Sequence, residues 1–274
     1  MKRIGILYHP KIQKSEKFAG EVEQFLKGKG IACWTNSSWD SAGAAKKLDG
    51  TELAVSVGGD GTILRVARII FPKQIPIVGI NFGNLGFMTE LTAEEALEKL
   101  PVIIDGGGWT EERAMLQAES SRSNNKYHAL NDVVVGRGRF LRLVNIQVDI
   151  NGEAFNTYRA DAVIVSTATG STGYSLAANG PILYPESRDL IVKAVCPHLS
   201  MDKALVLAPA TKVSLKVMTN QEAMVSMDGQ VEEPLGNGDA VEVSLSPHVT
   251  KFVRLRPRGE FYLSLMSRLK GKSL

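Results

Sequence analysis

Cysteine is scarce in this chain, two residues in 274, and Cys33 and Cys196 stand far apart. That excludes a disulfide framework and any cysteine-based metal spacing, and reads as reduced thiols of a cytoplasmic protein. Charge of one sign is also missing. A net +3 on 32 basic and 29 acidic residues is too mild for a nucleic-acid-coating surface. The basic residues are scattered apart from Arg268, Lys270 and Lys272, which read as a solvated end. No long hydrophobic run occurs. The apolar stretch after Lys2-Arg3 stops at His9-Pro10, too short for a signal peptide or a membrane span. The four histidines, His9, His128, His198 and His248, show no ligand spacing and imply no Ser-His-Asp set. Internal repeats and low-complexity segments are absent as well.

What is present begins with β-α alternation. Arg3 to Tyr8 is an apolar strand, and Ser15 to Lys29 places Phe18, Val22, Phe25 and Leu26 on one helix face, with Gly30 at its end. Leu53 to Val57 and Ile75 to Ile80 read as buried strands. Thr62 is placed to cap a helix through Ile70, and Thr92-Ala93-Glu94-Glu95 has capping-box spacing for a helix to Leu100. Such alternation predicts a parallel sheet with helices on its faces. At Asp105-Gly106-Gly107-Gly108 the period changes to two. Val144, Ile146, Val148 and Ile150 alternate with polar residues before the turn pair Asn151-Gly152; Val213 to Val217 and Val241 to Leu245 alternate likewise, and Asp228-Gly229 is another turn pair. This half is mainly antiparallel. Phe261 to Leu269 is helical again. The expected fold class is therefore α/β plus all-β: an α/β domain over 1–104 with a C-terminal return of 252–274, and a β-rich domain over 105–251.

Four segments carry candidate chemistry. Gly58, Gly59 and Gly61 lie between a strand and a helix, where backbone N–H groups can approach a phosphate. The Gly-Lys-Ser/Thr of a Walker loop is missing, and so is a G-x-G-x-x-G fingerprint. Instead Asp60 places a carboxylate where an anion would sit. It is either a base for an attacking hydroxyl, or a partner of a bridging metal, or the cap of the next helix in a plain turn. The second segment, Gly79 to Phe87 with Asn81, Phe82 and Asn84, also follows a strand, where ligands of open sheets bind. The third, Leu130-Asn131-Asp132, either caps a turn or offers partners to ribose hydroxyls and an adenine edge. The fourth follows Arg159-Ala160-Asp161: of the ten residues Ser166 to Ser175, seven bear hydroxyls and two are glycine. That composition fits a small-ligand loop or a solvated one, and Tyr174 can stack on a base. Met201, Met224 and Met227 read as core filler.

In this order the segments resemble the NAD kinase family: GGDGT at Gly58 to Thr62, GINFGNLGF at Gly79 to Phe87, LND at Leu130 to Asp132, DAVIVSTATGSTGYS at Asp161 to Ser175, and MDGQ at Met227 to Gln230. GGDGT alone is shared with lipid kinases and phosphofructokinases; the five together span nearly the whole chain. The resemblance implies a Rossmann-like N-terminal domain, an all-β C-terminal domain and a site between them. It implies transfer of the γ-phosphoryl of ATP, or of polyphosphate, to the 2′-hydroxyl of the adenosine ribose of NAD. It further implies a divalent metal cation, Mg2+, and a homodimer or homotetramer; it leaves the metal ligands unassigned. By position Asp60 matches the proton acceptor, with Gly61 beside it and Gly58, Gly59 and Thr62 completing the phosphate loop. Asn131 and Asp132 match the adenosine-holding pair. Arg142, Arg159, Asp161, Thr172, Gly173, Tyr174, Ser175, Leu176, Ala177 and Gln230 match further NAD-binding positions, and so does Arg65. The chain departs from the family pattern at Ala168, where proline is usual, at Gly173, where alanine is, and at Asn179, often glycine. It departs again in Cys196 to Lys203. Two rivals remain from the residues: a lipid kinase, for which no membrane-facing element is found, and a non-catalytic dinucleotide sensor, against which the intact Asp60 speaks.

Overall fold

The computed structural model describes residues 1–83, 85–138 and 142–270; Asn84, Lys272 and the side chain of Lys270 lie outside the described residues. The chain forms two compact units, Met1–Glu112 with Thr250–Leu274, and Arg113–Val249.

The first unit is built on parallel strands β1 Arg3–Tyr8, β2 Ala32–Ser37, β3 Leu53–Val57 and β4 Ile77–Asn81, in the order β2-β1-β3-β4. β3 is buried at every residue, so its sequence is apolar without alternation. Sequence periodicity does not predict β2 or the short helix α2 Ser41–Ala45. β2 is an edge strand with a mostly half-buried, polar sequence, so it carries little apolar signal. Helix α1 Gln13–Gly28 buries Phe18, Ala19, Val22 and Leu26. Helix α3 spans Asp60–Ile70, with Gly59 at its N-cap. The expected cap, Thr62, is instead a residue of the first turn with its Oγ1 buried and unbonded. Beyond the two-residue strand β5 Leu91–Thr92, helix α4 Ala93–Ile104 opens as the capping box requires, Glu95 accepting the Thr92 N–H at 3.0 Å. It runs on through Pro101 rather than stopping at Leu100.

In the second unit one sheet is antiparallel throughout. Its order is β13-β12-β11-β8-β15-β16, comprising β8 Asp132–Arg137, β11 Ala162–Ser166, β12 Leu190–Val195, β13 Leu205–Leu207, β15 Ala223–Met227 and β16 Val231–Leu235. Facing it are β9 Val144–Ile150, β10 Glu153–Ala160, β14 Val213–Val217 and β17 Ala240–Arg254, whose residues from Thr250 belong to the first unit. β6 Trp109–Ser120 and β7 Lys126–Ala129 pair beside them. The alternating residues of both sheets turn inward into one core that includes Val133, Val163, Ile146, Leu215 and Val243. Met227 fills that core as expected, whereas Met201 is exposed. Helix α5 Tyr174–Ala177 follows β11, and helix α6 Glu260–Lys270 follows β17.

One ion-pair cluster is buried in the first unit. Arg254 donates Nε to Glu111 at 2.7 Å and Nη1 to Glu90 at 3.3 Å, and Glu90 also accepts the N–H groups of Leu255 and Arg256. Removing one partner of such a set strands a buried charge. Arg254→Ala is expected to cost about 3–5 kcal/mol of stability, read as a lower urea midpoint. An unchanged midpoint would show that the cluster adds nothing.

Candidate active site

In the first unit, α3 begins at the carboxyl end of β3, so the Asp60 carboxylate stands at a helix N-terminus, where the peptide dipoles favour negative charge. It does not cap the helix. Its Oδ2 accepts the Phe87 N–H at 2.9 Å and its Oδ1 accepts the Met88 N–H at 3.0 Å. The first two glycine-bearing segments are thus one structure. Gly86 makes this approach possible: a Cβ there would fall on the carboxylate. Each carboxylate oxygen has two lone pairs, so two amide bonds orient Asp60 and leave acceptor capacity for a hydroxyl. Asn81 closes the same corner, its Oδ1 accepting the Phe82 N–H at 2.9 Å, while Phe82 packs edge-on against Phe18, 5.8 Å between centroids. Arg65 points elsewhere, its guanidinium 4.8 Å from the Trp39 ring.

In the second unit a different carboxylate organises the loops. Asp228 accepts the backbone N–H groups of Leu130, Asn131 and Asp132 at 2.9, 2.7 and 3.2 Å. The Asn131 carbonyl then accepts from Thr167 N–H at 2.9 Å, and Thr167 Oγ1 donates to the Leu130 carbonyl at 2.6 Å. Gly170 lies so close over Asn131 that a Cβ would meet that carbonyl. The LND, MDGQ and hydroxyl-rich segments are therefore one assembly, and the hydroxyl loop is not solvated: Thr172 and Ser175 are buried. Three of the expected NAD-binding residues carry buried oxygens with no partner, namely Asn131 Oδ1, Ser175 Oγ and Gln230 Oε1. Buried polar atoms are nearly always paired, so such atoms suit a ligand's donors. Asn179 has φ +62, a conformation that asparagine and glycine both tolerate, which accounts for its replacing the usual glycine.

The remaining expected residues are more dispersed. Asp161 pairs with Arg137 at 3.1 Å, and both line a cavity of about 260 Å³ together with Tyr174 and Glu232. Burial, then the charge of Asp161, pushes the Tyr174 phenol up. Gly173 and Leu176 are half-buried; Ala177, Arg142 and Arg159 are exposed. The organising role of Asp228 has no signal in the local sequence. Its Asp-Gly pair signalled only a turn, and its partners lie some hundred residues earlier in the chain.

No group of three His, Cys, Asp or Glu side chains suited to a metal occurs among the described residues. His128 and His248 do meet, 5.8 Å between ring centroids, without a third ligand.

Comparison with known proteins agrees over the whole chain. Residues 4–108 match the ATP-NAD kinase N-terminal domain, and residues 130–255 match the ATP-NAD kinase C-terminal domain. An NAD kinase of Dehalococcoides mccartyi is 43% identical over 276 residues, covering 99% of this chain and 97% of that protein. One of Chloroflexus aggregans is 38% identical, covering 98% and 99%. Among solved structures, yeast NADH kinase complexed with NADH superposes with a TM-score of 0.83 at 21% identity, covering 98% of this chain and 88% of that one. An Archaeoglobus fulgidus NAD kinase in complex with ATP gives 0.81 at 24%, covering 98% of each. The α/β unit with its carboxylate-bearing glycine loop, joined in one chain to a β unit, is the fold of a nucleotide-directed kinase. The chain belongs to the NAD kinase family.

The electrostatics of the second unit generate a pH prediction. Burial, and then the neighbouring Asp228 charge, push the Asp132 carboxyl up to about 7. The folded state therefore binds a proton that the unfolded chain releases near its ordinary 3.8. The associated stability is full below that value and is lost as pH rises through about 7. With about 1.4 kcal/mol per pH unit, the loss is on the order of 4 kcal/mol. Urea unfolding at pH 5 and pH 8 should show the wild type weaker at pH 8 and Asp132→Asn much less pH-dependent. Equal slopes for the two proteins would refute the assignment.

Proposed function

We infer that this protein makes NADP from NAD using ATP, and that Asp60 is the group that meets the acceptor hydroxyl. The observation that carries the reading is the double amide grip on Asp60: the carboxylate is aimed, in a loop whose glycines admit phosphates, and it is not consumed by capping.

A ribose 2′-hydroxyl is a weak nucleophile. Phosphoryl transfer asks mainly for positioning and charge neutralisation. Asp60 accepts a hydrogen bond from the 2′-hydroxyl and takes its proton as the new O–P bond to the γ-phosphorus forms and the bond to ADP breaks. Backbone N–H groups at the start of α3 face the donor phosphates. A divalent cation, brought with those phosphates, supplies neutralisation of their charge. Asn131, Ser175 and Gln230 offer their unpaired oxygens to the adenosine part, with Asp132 beside them and Tyr174 as a stacking surface. Asp161, Arg159 and Arg142 serve the rest of the dinucleotide. Arg65, turned onto Trp39, is the weakest member of the expected set. Polyphosphate is a further donor candidate by the same chemistry, since it presents the same terminal phosphoryl group.

A homodimer or homotetramer in the cytoplasm completes the proposal. Leu199, Val206 and Phe155 of the second unit expose apolar side chains to solvent, with Leu199 at 94%. No helix among the described residues is long and apolar enough to cross a membrane. Sedimentation velocity giving a monomer at micromolar concentration would remove the assembly.

The deciding experiment follows labelled phosphate from ATP with magnesium. NAD is labelled; NAD built on 2′-deoxyadenosine binds but stays unlabelled, as does NADP. Asp60→Asn lowers kcat by roughly 100-fold or more with little change in KM for NAD. Labelling of the 2′-deoxy compound would move the acceptor to another hydroxyl. Labelling of diacylglycerol instead of NAD would favour a lipid kinase, and tight NAD binding without turnover a sensor.

A further inference from the structure

The amides that aim Asp60 are themselves held, and the residue holding one of them comes from the far end of the chain. Arg268, in the last turns of α6, donates Nη1 to the Phe87 carbonyl at 3.4 Å. That carbonyl and the Met88 N–H belong to one planar peptide group. Across this plane the contacts run from Arg268 to the Phe87 oxygen, and from the Met88 nitrogen to Asp60 Oδ1 at 3.0 Å. A cation on the carbonyl sets the tilt of the plane and strengthens the N–H as a donor. The next carbonyl, of Met88, is taken by Arg254 at 2.9 Å.

Two further observations set Arg268 apart from a chance contact. Its guanidinium is half-buried, with Nε lacking any partner, near Arg254 and Arg256, which repel it, and Glu90 and Asp60, which attract it. A cation kept beside two others is unfavourable unless something gains from it. The helix bearing it also has little apolar anchorage of its own. Phe261 is buried and Leu265 and Leu269 are half-buried, but Tyr262, Leu263 and Met266 are 63%, 84% and 62% exposed.

We propose that Arg268 is a positioning residue for phosphoryl transfer, acting on Asp60 through the Phe87–Met88 peptide. This rests on the reading of Asp60 as the hydroxyl's partner, and the test separates the two. Full-length Arg268→Gln, Arg268→Lys, Asp60→Asn and the double variant are assayed with NAD and ATP, and the Met88 amide is followed by 15N-methionine NMR. Arg268→Gln should lose about 10- to 100-fold in kcat, the scale of a misplaced reacting group, with KM for NAD within about twofold. Arg268→Lys should recover most of the loss, and the Met88 amide resonance should move in the Gln variant and return in the Lys variant. In the Asp60→Asn background, Arg268→Gln should cost nothing further. Wild-type turnover in Arg268→Gln, an unmoved Met88 amide, or a loss that simply adds to that of Asp60→Asn would each overturn the inference while leaving Asp60 in place. Near-normal turnover in Asp60→Asn would instead overturn the reading on which it rests.

Discussion

The first unit depends on a carboxylate being held by backbone. Asp60 stands in a glycine loop, yet its carboxylate has a fixed direction, because Phe87 and Met88 each give it an N–H and Gly86 carries no Cβ that would push it away. That contact joins the loop after β3 to the loop after β4, and parallel pairing of β3 with β4 brings the two loops side by side. Behind them, Glu90, Arg254 and Arg256 lock the turn that follows, so the amides have a rigid support. A functional group placed on such supports is pre-organised, and little ordering remains to be done when a substrate arrives.

The second unit solves a similar problem with a different outcome. Asp228 also spends its carboxylate on consecutive backbone N–H groups, but its role is to fold the Leu130–Asp132 turn rather than to present a reacting oxygen. With that turn fixed, Thr167 and Gly170 pack against it, and Asn131 Oδ1 and Ser175 Oγ stay buried without a hydrogen-bond partner. The cost appears at Asp132, buried beside a second carboxylate and driven toward its neutral form. Two acids close together, one ionised and hydrogen-bonded, the other buried and poorly solvated, are expected to part in this way.

The mild net charge of +3 gives weak general attraction for phosphates.

The sequence by itself determined the class of each half. Alternation of strand and helix, then a change to period two near Asp105, is a direct image of which faces are buried, and burial is local enough to read from composition. Glycine loops and the Asp228-Gly229 turn pair were visible for the same reason, since backbone that turns sharply restricts residue type in place, whereas the MDGQ segment as a whole stood out only through the family resemblance. Where local signal was weak, as in the polar edge strand β2 or the helix running through Pro101, the reading fell short. Tertiary structure alone decided what each polar group bonds to. The turn-capping alternative for Asp60, the organising role of Asp228 and the reach of Arg268, which read as part of a solvated tail, were all settled by contacts between segments distant in sequence. A hydrogen bond requires atoms within about 3 Å, and no spacing along the chain specifies which remote amide will arrive there until the strands have paired.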